Sequence, residues 1–145
     1  MNSKTKKIVA VIVVLALAGT AIGYYLWNKP HLDVAAAASV KADATVLYNA
    51  FSTDSVAAKK NYTQQVLQVA GTISSISKNQ QGQTLVLLKT ATEAAYINCT
   101  MEGEVVNKKD GDAVAIKGIC NGMGQGDTDL GIMGDVYLVR CYIIQ

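Results

Sequence analysis

The sequence is poor in the side chains that most often do chemistry. Its 145 residues contain one histidine, His31, and one proline, Pro30. Without a second imidazole there is no general base for a Ser–His or Cys–His pair, and no strand–turn–helix nucleophile elbow is present. A carboxylate pair is the remaining acid–base option, but Glu102 and Glu104 read as a solvated turn. No catalytic residue and no enzymatic activity are therefore expected. Metal chemistry fares no better. Zinc closes four ligands, whereas Cys99, Cys120 and Cys141 are three and His31 lies far from them in sequence. Asp127 and Asp129 have DxD spacing, yet a calcium loop opened at Asp127 lacks a ligand at Gly131, a glycine at Ile132 and a glutamate at Leu138. No GKS/T lysine follows the glycines, so a phosphate loop is excluded. The expectation is no metal and no cofactor. The chain also has no internal repeat.

Cationic surface is scarce as well. Lys and Arg number 13 against 11 Asp and Glu, a net charge of +2. However, Lys4, Lys6, Lys7 and Lys29 all precede His31, and every acidic residue follows it, so the part from His31 onward carries about −2. Nucleic-acid binding by counterion release calls for a cationic face, which makes a nucleic-acid partner an unfavourable expectation.

What is present begins with an uncharged run, Ile8 to Trp27, "IVAVIVVLALAGTAIGYYLW". A helix of about twenty residues spans about 30 Å, the thickness of a hydrocarbon core. Three lysines precede the run and only Lys29 follows it closely. That bias places the N-terminus inside and the rest of the chain across the membrane. Tyr24, Tyr25 and Trp27 fall where an interfacial aromatic belt sits. Ala16-Leu17-Ala18 fits a signal-peptidase site, but the apolar run continues past it, so an uncleaved anchor is expected. "LAGT" at Leu17–Thr20 has threonine where a lipidated cysteine would stand. Gly19 and Gly23 form a GxxxG that permits close helix dimerisation. The organisation read from these signals is a basic tail 1–7, a transmembrane segment 8–27, a spacer 28–42 and a domain 43–145. The localisation expected is a single-pass inner-membrane protein with its C-terminal domain extracytoplasmic, or periplasmic.

Within the domain, Asp43 can cap a short helix running to about Phe51, and Thr53 or Asp54 a second to Lys60. From Val66 the apolar period becomes two. Five strands are expected: "VLQVAGTISSIS", "TLVLL", "AAYINCTM", Asp112–Cys120, and "DVYLVRCYII" after a glycine-rich loop, Asn121–Gly134. So few strands bury a core best by closing into a barrel, which also removes exposed edges. Gly71 and Gly118 interrupt strand formers. They are expected as the bends that let two long strands coil around the barrel.

Tyr62, "VLQVAGTI", "INCTM", "GDAVAIKGIC" and "DVYLVRCYI", taken in this order and spacing, resemble the tRNA_anti-like OB-fold family. "YNAFSTD" and "NKPH" resemble its Bacteroidetes-type members. The resemblance runs from Asn28 to the C-terminus. It implies bacterial envelope proteins with an N-terminal anchor and a five-stranded OB barrel; the family name reflects distant similarity to anticodon-binding domains. In OB order, 1-2-3-5-4-1, the last strand lies between the third and fourth. Cys141 then meets either Cys99 or Cys120. A Cys120–Cys141 disulfide is favoured, with Cys99 a buried free thiol, and three reduced, buried cysteines are the alternative; a loop of about 20 residues corresponds to about 3 kcal/mol. Haem carriage by OB domains uses a histidine near the end of the barrel, far from His31. Loops between the fourth and fifth strands flank the OB ligand face. The candidate face is therefore Tyr96, Lys117, Met123, Asp127, Asp129 and Tyr137. Tyr137 and Tyr142, an odd number apart, are expected on opposite faces. The function expected is a non-enzymatic, membrane-anchored binding module for an envelope protein or glycan; the alternative is an oligonucleotide-binding domain.

Overall fold

The structure, a computed structural model, describes residues 3–28, 32–127 and 129–144. Pro30, expected to end the membrane helix, and His31 lie outside them. The chain forms two compact units, Met1–Leu32 and Asp33–Gln145.

The first unit is helix α1, Ser3–Trp27. After the lysines of its first turns it is apolar, with mean hydropathy 2.3 over an 18-residue window, and none of its side chains is buried. Such a helix cannot bury its own surface, and among the described helices it alone is long and apolar enough to cross a membrane.

The second unit begins with a short strand β1, Val40–Asp43, and helices α2, Ala44–Thr53, and α3, Ser55–Tyr62. Asp43 caps α2 by accepting the Thr45 amide at 2.8 Å, and Asp54 caps α3 by accepting the Ala57 amide at 3.0 Å. Strands β2 (Val66–Lys78), β3 (Thr84–Lys89), β4 (Tyr96–Met101), β5 (Ala113–Met123) and β6 (Val136–Ile143) follow. Their order is β1-β2-β3-β4-β6-β5, and β2 also pairs with β5, which closes a five-stranded barrel. This is the expected OB order. The long β2 makes it possible: Val66–Thr72 pair with β5, and Ile73–Lys78 pair with β3. The addition is β1, which pairs parallel to Leu67–Ala70 along the stretch of β2 that β3 does not reach. That strand lies where only spacer was expected.

Alternate side chains of each strand point inward. Leu67, Val69, Ile73, Val86, Leu88, Ile97, Ile116 and Leu138 are fully buried, and Leu47, Tyr48 and Phe51 of α2 join the same cluster. Burial of one such side chain is worth about 1.5–3 kcal/mol.

The cysteines differ from expectation. Cys99, Cys120 and Cys141 are all buried free thiols, and the favoured Cys120–Cys141 disulfide is not formed. The register gives the reason. Leu138 lies opposite both Cys99 and Cys120, whereas Cys141 lies one step further along, opposite Met101 and against Gly118. Two residues along a strand plus one strand spacing separate Cα atoms by about 8 Å, beyond disulfide reach. The thiol that interacts with Cys141 is Cys99.

Gly118 sits in a register shift of β5 against β6, between Lys117 and Ile119. A Cβ there would lie 2.5 Å from Cys141 Sγ and 3.2 Å from the Val139 carbonyl oxygen. Gly71 lies in unbroken register with Val114, and the shift in β2 falls later, between Ile73 and Ser75. A Cβ at Gly71 would lie 3.0 Å from that of Ala44. Neither glycine has a positive φ. Close approach, rather than backbone freedom, accounts for both.

Candidate ligand face

The outer surface of the barrel is organised by one residue in β6. Val136 and Leu138 point inward, yet so does Cys141. Arg140, at φ 54°, is the extra residue that breaks the alternation, and the register shifts there against both neighbours. Its Nε donates to Glu102 Oε2 at 2.9 Å. The bulge sends Tyr137 and Tyr142 to the same, outer, side of the strand. The opposite-face expectation assumed an unbroken strand and is corrected here.

On that outer side Lys89 of β3 lies across from Tyr96 of β4. One step on, Leu87, Asn98 and Tyr137 line up across β3, β4 and β6. Tyr96 and Tyr137 are thus diagonal neighbours, about 7–8 Å apart at Cα. The Tyr137 ring lies over Gly124, where a Cβ would come within 2.8 Å of its Cε2. Asp135 tethers the corner by accepting the Tyr96 amide on Oδ1 at 3.0 Å. Burial pushes the Asp135 carboxyl up, and the Tyr96 amide works against that shift. Beneath it, the fully buried Tyr48 phenol is pushed up first by burial and then by the Asp135 charge.

Of the six residues expected on this face, the structure brings Tyr96 and Tyr137 together. Lys117 is nearly buried, and its Nζ donates to the Ala35 carbonyl at 2.8 Å. Met123 packs against the core. Asp127 and Asp129 are exposed at the tip of the β5–β6 hairpin. There Asp127 pairs with Ile132 through two backbone hydrogen bonds of 2.8 Å, and its Oδ1 accepts the amides of Asp129 and Leu130. The Asp127 side chain is therefore used in shaping the turn. Leu87 and Asn98 were missing from the expected set. The alternation within "YINCTM", with Ile97, Cys99 and Met101 inside, was the signal for Asn98.

No reactive thiol contributes. The Cys99 thiol is pushed well up, first by its hydrogen bond with Cys141 and then by burial, and burial also raises Cys120. Thiols held protonated and covered are poor nucleophiles. Among the described residues no cluster of metal-ligating side chains occurs.

The chain carries an N-terminal apolar helix and a five-stranded closed barrel in OB order. The tRNA_anti-like family matches residues 1–130. The chain belongs to the tRNA_anti-like family. A comparison with curated proteins gives no match. The family match ends before β6, the strand that carries Tyr137 and the Arg140 bulge. Membership in this family supports an OB-fold binding module.

Proposed function

We propose that the chain is a membrane-anchored binding module, held by α1 with its N-terminus in the cytoplasm and its barrel on the extracytoplasmic side. The ligand is an envelope protein or glycan, taken on the outer face of β3, β4 and β6. The observation that carries this reading is the register that sets Lys89, Tyr96, Asn98 and Tyr137 side by side. Two aromatic rings beside an amide offer stacking and hydrogen bonding around one exposed cation. The lysines before Ile8 and the aromatic residues at its far end support the anchor and its direction.

The alternative, an oligonucleotide-binding domain, draws on the same two tyrosines, since bases stack on such platforms. The negative charge of the part from His31 onward speaks against it. A photo-crosslinking residue at Asn98 in the native envelope tests both. The expected product is a protein or glycan adduct that Tyr137→Ala weakens at least about tenfold, as for loss of a central aromatic contact. Single-stranded RNA or DNA bound at micromolar affinity with a steep salt slope would establish the alternative instead.

A further inference from the structure

The outer surface of β5 carries a different arrangement. Lys117 points outward from β5, yet it is only 8% exposed, and among the described residues it is the one charged side chain that is buried. What covers it is the segment just before β1. Asp33 starts a single turn: its Oδ1 accepts the amides of Ala35 and Ala36, and its carbonyl accepts the Ala37 amide at 2.9 Å. The Ala35 carbonyl takes the Lys117 ammonium at 2.8 Å. Val34 is 1% exposed, although it is not part of the barrel's core cluster. The chain then reaches β1, which pairs with β2 on the edge opposite β5. Between Ala35 and Val40 it must therefore cross the outside of β2. Residues 33–39 form a strap over the β5–β2 surface, on the flank away from β3 and β4.

We propose that this strap is a cis-acting cover over a second binding surface. The surface beneath takes a short peptide of the strap's own chemistry, a capped turn with one branched apolar side chain and a carbonyl oxygen for Lys117. The strap shows by its own contacts what the surface accepts: a buried valine and an oxygen for the Lys117 ammonium. An ammonium has three donors, and the strap supplies one acceptor at Lys117. A trans peptide therefore matches the strap contact for contact and competes with it through concentration alone. A segment joined by the backbone competes at millimolar effective concentration, which keeps the surface closed until the strap lets go.

The test uses the full chain in detergent micelles and the synthetic peptide Asp-Val-Ala-Ala-Ala-Ala-Ser. Val34→Asp puts a charge where the valine is buried and releases the strap; Val34→Gly, which only removes the valine side chain, is the second variant in case the first misfolds. Hydrogen exchange over residues 33–39 is expected to quicken by about a hundredfold in either variant. The peptide is expected to bind the released variant at least about tenfold more tightly than the unaltered chain. Adding Lys117→Met should then abolish that binding. The proposal is overturned by any one of four results: equally fast exchange of residues 33–39 in the unaltered chain, equal peptide binding with and without release, no peptide binding after release, or binding indifferent to Lys117→Met.

Discussion

Gly118 and Cys141 share one volume inside the barrel wall, because the sulfur of one occupies the space that a side chain on the other would need. Gly118→Ala should therefore cost about 1–3 kcal/mol through overpacking against a rigid strand. Shrinking the partner should return most of that. The double substitution Gly118→Ala with Cys141→Ala is expected to be closer to the unaltered protein than the sum of the single changes, a coupling that urea unfolding measures directly. An additive result would mean that the neighbouring Val139 carbonyl, rather than the sulfur, sets the limit. The sequence marked both residues as unusual, and both lie in the wall of the same barrel. It misassigned the relation between them. Strand order was legible, but offset along a strand was not, because the offset depends on where a bulge falls. Cys141 was thereby matched to Cys120 when the residue against it is Gly118.

At the level of the strand, the decisive position is Arg140. A non-glycine residue in the left-handed region costs about 1–2 kcal/mol, and more with a branched Cβ. The exposed pair with Glu102 returns at most about 1 kcal/mol. Arg140→Gly is thus expected to be neutral or slightly stabilising, and Arg140→Val to destabilise by about 1–2 kcal/mol. The larger consequence concerns the ligand face: a variant that removes the bulge returns Tyr142 and Tyr137 to opposite sides, as simple alternation would have them. The helices were legible from Asp43 and Asp54 because a cap is a local signal. The bulge was not, since arginine carries no preference for it and only the two flanking strands impose it. β1 escaped notice for a related reason. Four residues are too few to show a period, and their pairing depends on β2, more than twenty positions away.

For the domain as a whole, the strap belongs to the folded unit, and the compact region begins at Asp33. A fragment from Asp33 to Gln145 is expected to fold by itself with a β-rich circular dichroism spectrum. One that starts at Val40 loses the burial of Val34 and the acceptor for Lys117, and should be less stable by about 2–4 kcal/mol. Equal unfolding midpoints for the two fragments would deny the strap any energetic role. The barrel was readable from five short apolar periods and their turns, and its closing order from the family resemblance. The working surface was only half readable. Tyr96 and Tyr137 were picked out by type, while Lys117 was picked for its charge and proved to be occupied.

The strap also changes the mechanics of attachment. A spacer of some fifteen residues would let a domain wander over a wide hemisphere. With residues 33–39 built into the barrel, five residues of sequence, 28–32, separate α1 from the folded domain. From Trp27 to Asp33 such a chain reaches at most about 20 Å. Of the fifteen spacer residues 28–42, the ten from Asp33 onward therefore belong to the folded domain rather than to a tether.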